Sequence, residues 1–118
     1  MDIQEMISAL KGHPDSGKIG MIATHLGVVR GTSRNGLEVT ELEVDYDHDI
    51  MAGILNDIKK MPGIIDVLVN ATEGRLQVGD EILAVAVAGD IRENVFAALM
   101  EAVNRIKTEA SKKTEIYK

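Results

Sequence analysis

Residues 81–107 read "EILAVAVAGDIRENVFAALMEAVNRIK". The first nine, Glu81 to Gly89, are apolar almost without a break. Such a run bounded by turn residues reads as a strand at the centre of a sheet. Asp90 then opens a long helix. Its carboxylate can accept from first-turn amides, and Glu93 three residues on makes a variant capping box. Val95, Phe96, Leu99, Met100, Val103 and Ile106 recur at helical spacing and are expected to form the buried stripe.

Working outward, "IIDVLVNA" (64–71) is a second strand, and 73–81 is turn-rich with one short extended piece. A helix is expected over 48–61: Ile50, Met51, Ile54, Leu55 and Ile58 repeat at its period, and Pro62-Gly63 ends it. "LEVTELEVDY" (37–46) alternates, with Leu42, Val44 and Tyr46 on one face and Glu41, Glu43 and Asp45 on the other. That acidic row reads as a solvated sheet face, because carboxylates on one strand do not converge on a cation. Another strand lies within 18–29, joined to 37–46 through "TSRNG", where Asn35-Gly36 is a hairpin signal. Residues 1–16 hold a short helix, with Ile3, Met6, Ile7 and Leu10 on one stripe, and a turn. Residues 108–118 form a polar, basic tail, expected to be loosely held. Short links of this kind give one domain over 1–118, of class α+β, with helices packed on a mixed or antiparallel sheet.

Composition narrows the function. The 118 residues are 45% hydrophobic and carry 13 Lys and Arg against 19 Asp and Glu, a net charge of −6. Nucleic acid is not the partner of such a chain. No apolar run approaches the ~20 residues of a membrane span, and the N-terminus carries acid where a signal peptide carries base. With no cysteine there is no thiolate metal site and no disulfide. A soluble cytoplasmic protein is expected.

The chemistry-bearing residues are few. His13, His25 and His48 lie in three different elements, so no metal-ligand pair is present. His25 is the one close in sequence to Arg30, which makes it a candidate. Arg30 follows an apolar strand directly. Arg92 stands in the first turn of the last helix, where free amides and a guanidinium together suit a phosphate; pairing with Glu93 is the alternative. Lys107, near the end of that helix, either complements the helix dipole or lies in a pocket as an amine of lowered pKa. Lys112 and Lys113 join a site only if the tail folds into it. Arg34 reads as a hairpin residue in water.

The spacing of Gly74, Leu76, Gly79 and Asp80, the strand valines Val85 and Val87, and then Arg92, Phe96, Ala98 and Lys107 resembles the MoaE family, the large (catalytic) subunits of molybdopterin synthase. "GVVRG" (27–31) is similar to that family's G-x-V-R segment and supplies Arg30. The likeness covers about residues 17–110. It implies an α/β hammerhead-type fold, a homodimer, and a small ubiquitin-like sulfur-carrier subunit of MoaD type, giving a heterotetramer. It also implies transfer of sulfur from the carrier's thiocarboxylate to cyclic pyranopterin monophosphate, in molybdenum cofactor biosynthesis. The substrate would be a pterin phosphate, with no resident cofactor and no metal. By the same resemblance Arg30 and Arg92 would bind the substrate and Lys107 would be catalytic. The chain departs from the pattern at Ile91 and Asn104, at Ala71 and Thr72, and at Thr114, which aligns with the family's second lysine. Three readings follow: a sulfurtransferase with an altered site, a non-catalytic module of the same fold, or a small metabolite-sensing α+β dimer.

Overall fold

The computed structural model describes residues 1–118. The order is α1 (Ile3–Lys11), β1 (Met21–Val28), β2 (Val39–Tyr46), α2 (His48–Lys59), β3 (Ile64–Ala71), β4 (Gly74–Gln77), β5 (Glu81–Gly89), α3 (Arg92–Arg105) and β6 (Ser111–Tyr117). Three helices and antiparallel strands make an α+β fold. The strands form two sheets rather than one, in the orders β1-β5-β3 and β4-β2-β6.

β5 is the middle strand of the first sheet, and its alternation builds the molecule. Val85 and Val87, fully buried, join a core with Val95, Ala98 and Ala102 of α3 and Ile54 and Ile58 of α2. Ala84, Ala86 and Ala88 point to the other face, where Met6 and Leu10 of α1 cover them. Small alanines let α1 sit close; the larger valines fill the space under the other two helices. α1 begins at Asp2, whose carboxylate accepts from the Glu5 amide at 2.8 Å. Glu5 accepts in return from the Asp2 amide, completing a capping box.

Four expectations are corrected. The Asn35-Gly36 turn does not pair β1 with β2. It closes on itself, with the Ser33 amide donating to the Leu37 carbonyl at 2.9 Å and a bridge between Thr32 and Glu38, and the chain then crosses to the second sheet. Asp90 does not cap α3. Ile91 holds that position, and Asp90 instead accepts from the Ile91 amide at 2.7 Å and the Asn94 amide group at 2.9 Å. The buried stripe of α3 is Val95, Ala98, Ala102 and, in the following turn, Ile106, while Phe96 and Met100 are 55% and 67% exposed. Alanine packs the helix closer to the sheet than the larger side chains would allow, so the contact line runs through the small residues. Finally, the tail is not loose: β6 runs antiparallel to β2 from Tyr46↔Ser111 to Val39↔Tyr117. Main-chain pairing holds it, and hydrophobic periodicity plays little part.

β2 behaves as its alternation requires. Leu42, Val44 and Tyr46 are buried, and Glu43 and Asp45 are exposed. Arg75 on β4 pairs with Glu41, and Lys112 stands opposite Asp45, so the acidic row meets cations on both neighbouring strands.

Candidate functional site

The inner face of β6, the end of β1 and the turn after it enclose a cavity of about 850 Å³. Arg30, Arg34, Lys107 and Lys113 all line it. They come from four separate places in the chain. Arg30 follows β1 directly. Arg34 sits in the tight turn. Lys113 faces inward because its partner across the ladder is the buried Val44. Lys107 lies in a single π-helical turn, Ile106–Ala110, that ends α3. Such turns interrupt the regular ladder and re-aim a side chain, and they are frequent at functional sites.

None of these four cations has a carboxylate within ion-pair distance; the chain's ion pairs lie elsewhere. Glu115 is the acid among the lining residues. Burial lowers the pKa of Lys107, and the nearby charges of Lys113 and Arg34 lower it further. Its ammonium therefore gives up a proton more readily than a solvated lysine does. Tyr46 also lines the cavity. Burial first, and the charge of Glu73 second, push its phenol up to about 12, so it stays a protonated donor.

His25 shares a face of β1 with Gly27, a cavity-lining residue. The imidazole leans toward that glycine: a Cβ at Gly27 would lie 3.2 Å from Nε2. Nε2 is buried and has no hydrogen-bond partner. Burial, and then the Lys107 charge, hold the His25 pKa below 6.5.

The structure thus brings together Arg30, Lys107 and Lys113, with His25 behind the lining residue Gly27 rather than in the lining itself. It does not bring Arg92 there within one chain. Arg92 is exposed at the far end of α3, 3.5 Å from Glu93, and the helix of 14 residues separates it from Lys107 by about 21 Å. Lys112 faces outward, into a shallow cleft with Glu43, Asp45, Glu73 and Arg75. Arg34 is the residue that sequence reasoning missed. Turn chemistry says where a chain reverses, and nothing in it says what the turn hangs over. No helix is long and apolar enough to cross a membrane.

The chain and its fold are similar to those of known proteins. The molybdopterin synthase catalytic subunit of Ralstonia nicotianae is 32% identical over 114 residues, covering 92% of this chain. The chain spans 62% of that relative's length. The molybdopterin cofactor biosynthesis protein E of Burkholderia multivorans superposes with a TM-score of 0.79 at 27% identity, over 100% of this chain and 82% of the other. The same fold occurs in a complex of subunits 1 and 2 of molybdopterin-converting factor from Helicobacter pylori, with a TM-score of 0.72 at 16% identity, over 99% of this chain and 80% of that one. The sequence profile of the MoaE protein family matches residues 1–109, nearly the whole length: the chain belongs to the MoaE family.

Proposed function

We propose that this protein is the large subunit of a molybdopterin synthase, acting in the cytoplasm in molybdenum cofactor biosynthesis. It would transfer sulfur from a carrier-protein thiocarboxylate to cyclic pyranopterin monophosphate. One observation carries the reading. In a chain of net charge −6, three cations without acidic partners gather in one cavity with a fourth, Lys107, whose pKa is lowered. That is the electrostatics of an anion site with a proton-transfer group at its centre. Arg30 holds the phosphate through its planar fork. Lys107 gives and takes protons as sulfur is added and the cyclic phosphate opens. Lys113 serves where the family's second lysine aligns with Thr114.

The partners follow from two features. Arg92, Phe96 and Met100 lie at i, i+4 and i+8 on the uncovered face of α3, with Ile91 beside them 53% exposed. A second copy of the chain over this face buries those apolar groups and brings Arg92 to a subunit boundary, where it serves the partner's cavity. The carrier is a small ubiquitin-like subunit of MoaD type, whose flexible tail enters the cavity. The Helicobacter pylori relative, a complex of two subunits, has a counterpart in that pairing.

The test is direct. The protein is mixed with a thiocarboxylated carrier and the cyclic pterin, beside Lys107→Ala. Dithiolene product that requires Lys107 is the expected result. Carrier binding without product makes the protein a non-catalytic module of the family. Absence of carrier binding favours a metabolite-sensing dimer.

A further inference from the structure

Two anions must meet in the cavity if the proposed transfer is correct: the substrate phosphate and the carrier's terminal thiocarboxylate. They repel unless each has its own cations. Arg30 belongs to the family's pattern. Arg34 does not, and although it is exposed it lines the cavity.

The turn that carries Arg34 is braced. Ser33 is the chain's one buried polar residue, 7% exposed. Its hydroxyl accepts from the Leu37 amide at 3.2 Å and donates to the Asn35 side-chain oxygen. The Gly36 amide donates to the Ser33 carbonyl at 3.0 Å, and Gly36 takes a left-handed φ of +84° that favours glycine. The bridge between Thr32 and Glu38 closes the base. Arg34 is therefore delivered to the cavity by a short, internally bonded loop rather than by a floppy one. Lys113 arrives from β6 and Lys107 from the π-helical turn. No acid pairs with any of the three, and Glu115 is the lone carboxylate lining the cavity. Cations converging from three segments repel one another, and an anion between them removes that cost.

We propose that Arg34 and Lys113 form an oxyanion subsite beside Lys107, additional to the position at Arg30. The proposal rests on the synthase reading for its two anions. Its ligand is a phosphate or carboxylate oxyanion, which comes either from the pterin or from the carrier's C-terminal end.

Binding of two probes by calorimetry tests it without turnover. One probe is inorganic phosphate. The other is a synthetic peptide ending in Gly-Gly with a free carboxylate, compared with its C-terminal amide. Arg34→Gln weakens one probe on the order of tenfold, as expected for loss of a charge-assisted hydrogen bond. Arg34→Lys retains part of the affinity, and Lys113→Gln weakens the same probe. Lys60→Gln, an equal charge change at the end of α2 away from the cavity, leaves it unchanged. The probe affected names the source of the anion. Equal binding by wild type and Arg34→Gln, with matched melting curves, overturns the proposal. So does an equal loss in Lys60→Gln, or no binding of either probe by the wild type. A failed sulfur-transfer assay with the Arg34 effect intact removes only the synthase reading.

Discussion

Lys113 stands opposite Val44 in the β2–β6 ladder, and that register turns its ammonium to the inner face, where its charge acts on Lys107. A one-residue difference in register would send the same side chain outward. Thr114, one residue on and opposite the exposed Glu43, borders both the cavity and the outer cleft. Lys113→Gln removes a like charge from Lys107, so the Lys107 pKa moves up toward its ordinary value. An NMR titration of the lysine ε-carbons reads that shift directly. On the proposed synthase reading, sulfur transfer falls on the order of tenfold or more. Adding Thr114→Lys to that variant rescues it only in part, because position 114 borders the cavity but lies across from Glu43, which competes for the new amine. Full rescue would show that the strand register does not govern which lysine serves.

Gly20→Ala should unfold the protein well below the wild-type midpoint. A Cβ at Gly20 would stand 2.2 Å from the Asp90 carbonyl oxygen, which is backbone and cannot swing away. The Gly20 amide also donates to the Gly89 carbonyl at 2.8 Å, so the two segments cannot separate without losing that bond. The expected loss is about 3 kcal/mol. Urea denaturation measures it, and a change below about 0.5 kcal/mol would mean that the segments part easily.

The strands β3 and β5 fall at the residues their apolar runs indicate, because a run bounded by turns has few other ways to be buried. β6 carries no such signature. "SKKTEIY" is held by the free edge of β2, a long-range pairing that one segment's sequence does not display. The buried face of α3 departs from its hydrophobic pattern for a related reason. Phe96 and Met100 weigh heavily in a hydrophobic pattern, yet Ala98 and Ala102 make the close contact. The lining of the cavity was legible where the family resemblance names a residue, as at Arg30 and Lys107. It was illegible at Arg34, whose place in the lining depends on where a local turn comes to rest.

The exposed stripe of α3 predicts an assembly. Phe96→Asp places a charge on a face that the homodimer proposal buries, and a buried aromatic anchor contributes about 2 kcal/mol or more. Sedimentation at fixed concentration should show the variant shifted to monomer. If Arg92 serves the partner's cavity, a mixture of Lys107→Ala with Arg92→Gln regains part of the activity that each lacks alone. Each mixed dimer then holds one cavity with both residues intact. A monomeric wild type, or no regain after subunit exchange, would confine the site to one chain.

His25 gives the fold a pH dependence of defined sign. In the unfolded chain its imidazole titrates near 6.5; in the fold, burial first and the Lys107 charge second hold it lower. Between those two values the unfolded chain binds a proton that the folded chain refuses, so acid favours unfolding there. The contribution is fully present above 6.5. It declines as pH falls below that value and levels off beneath the folded pKa. His25→Phe keeps a ring against Gly27 and removes both the titration and the unpartnered Nε2, a buried nitrogen whose desolvation goes unrelieved. The urea midpoint, measured at steps between about pH 5 and pH 8, should fall on the acid side more steeply in the wild type than in His25→Phe. Parallel profiles would mean that the imidazole is not held neutral beside Lys107. A wild type less stable than the variant at every pH, with the gap widening toward acid, is the outcome the buried nitrogen requires.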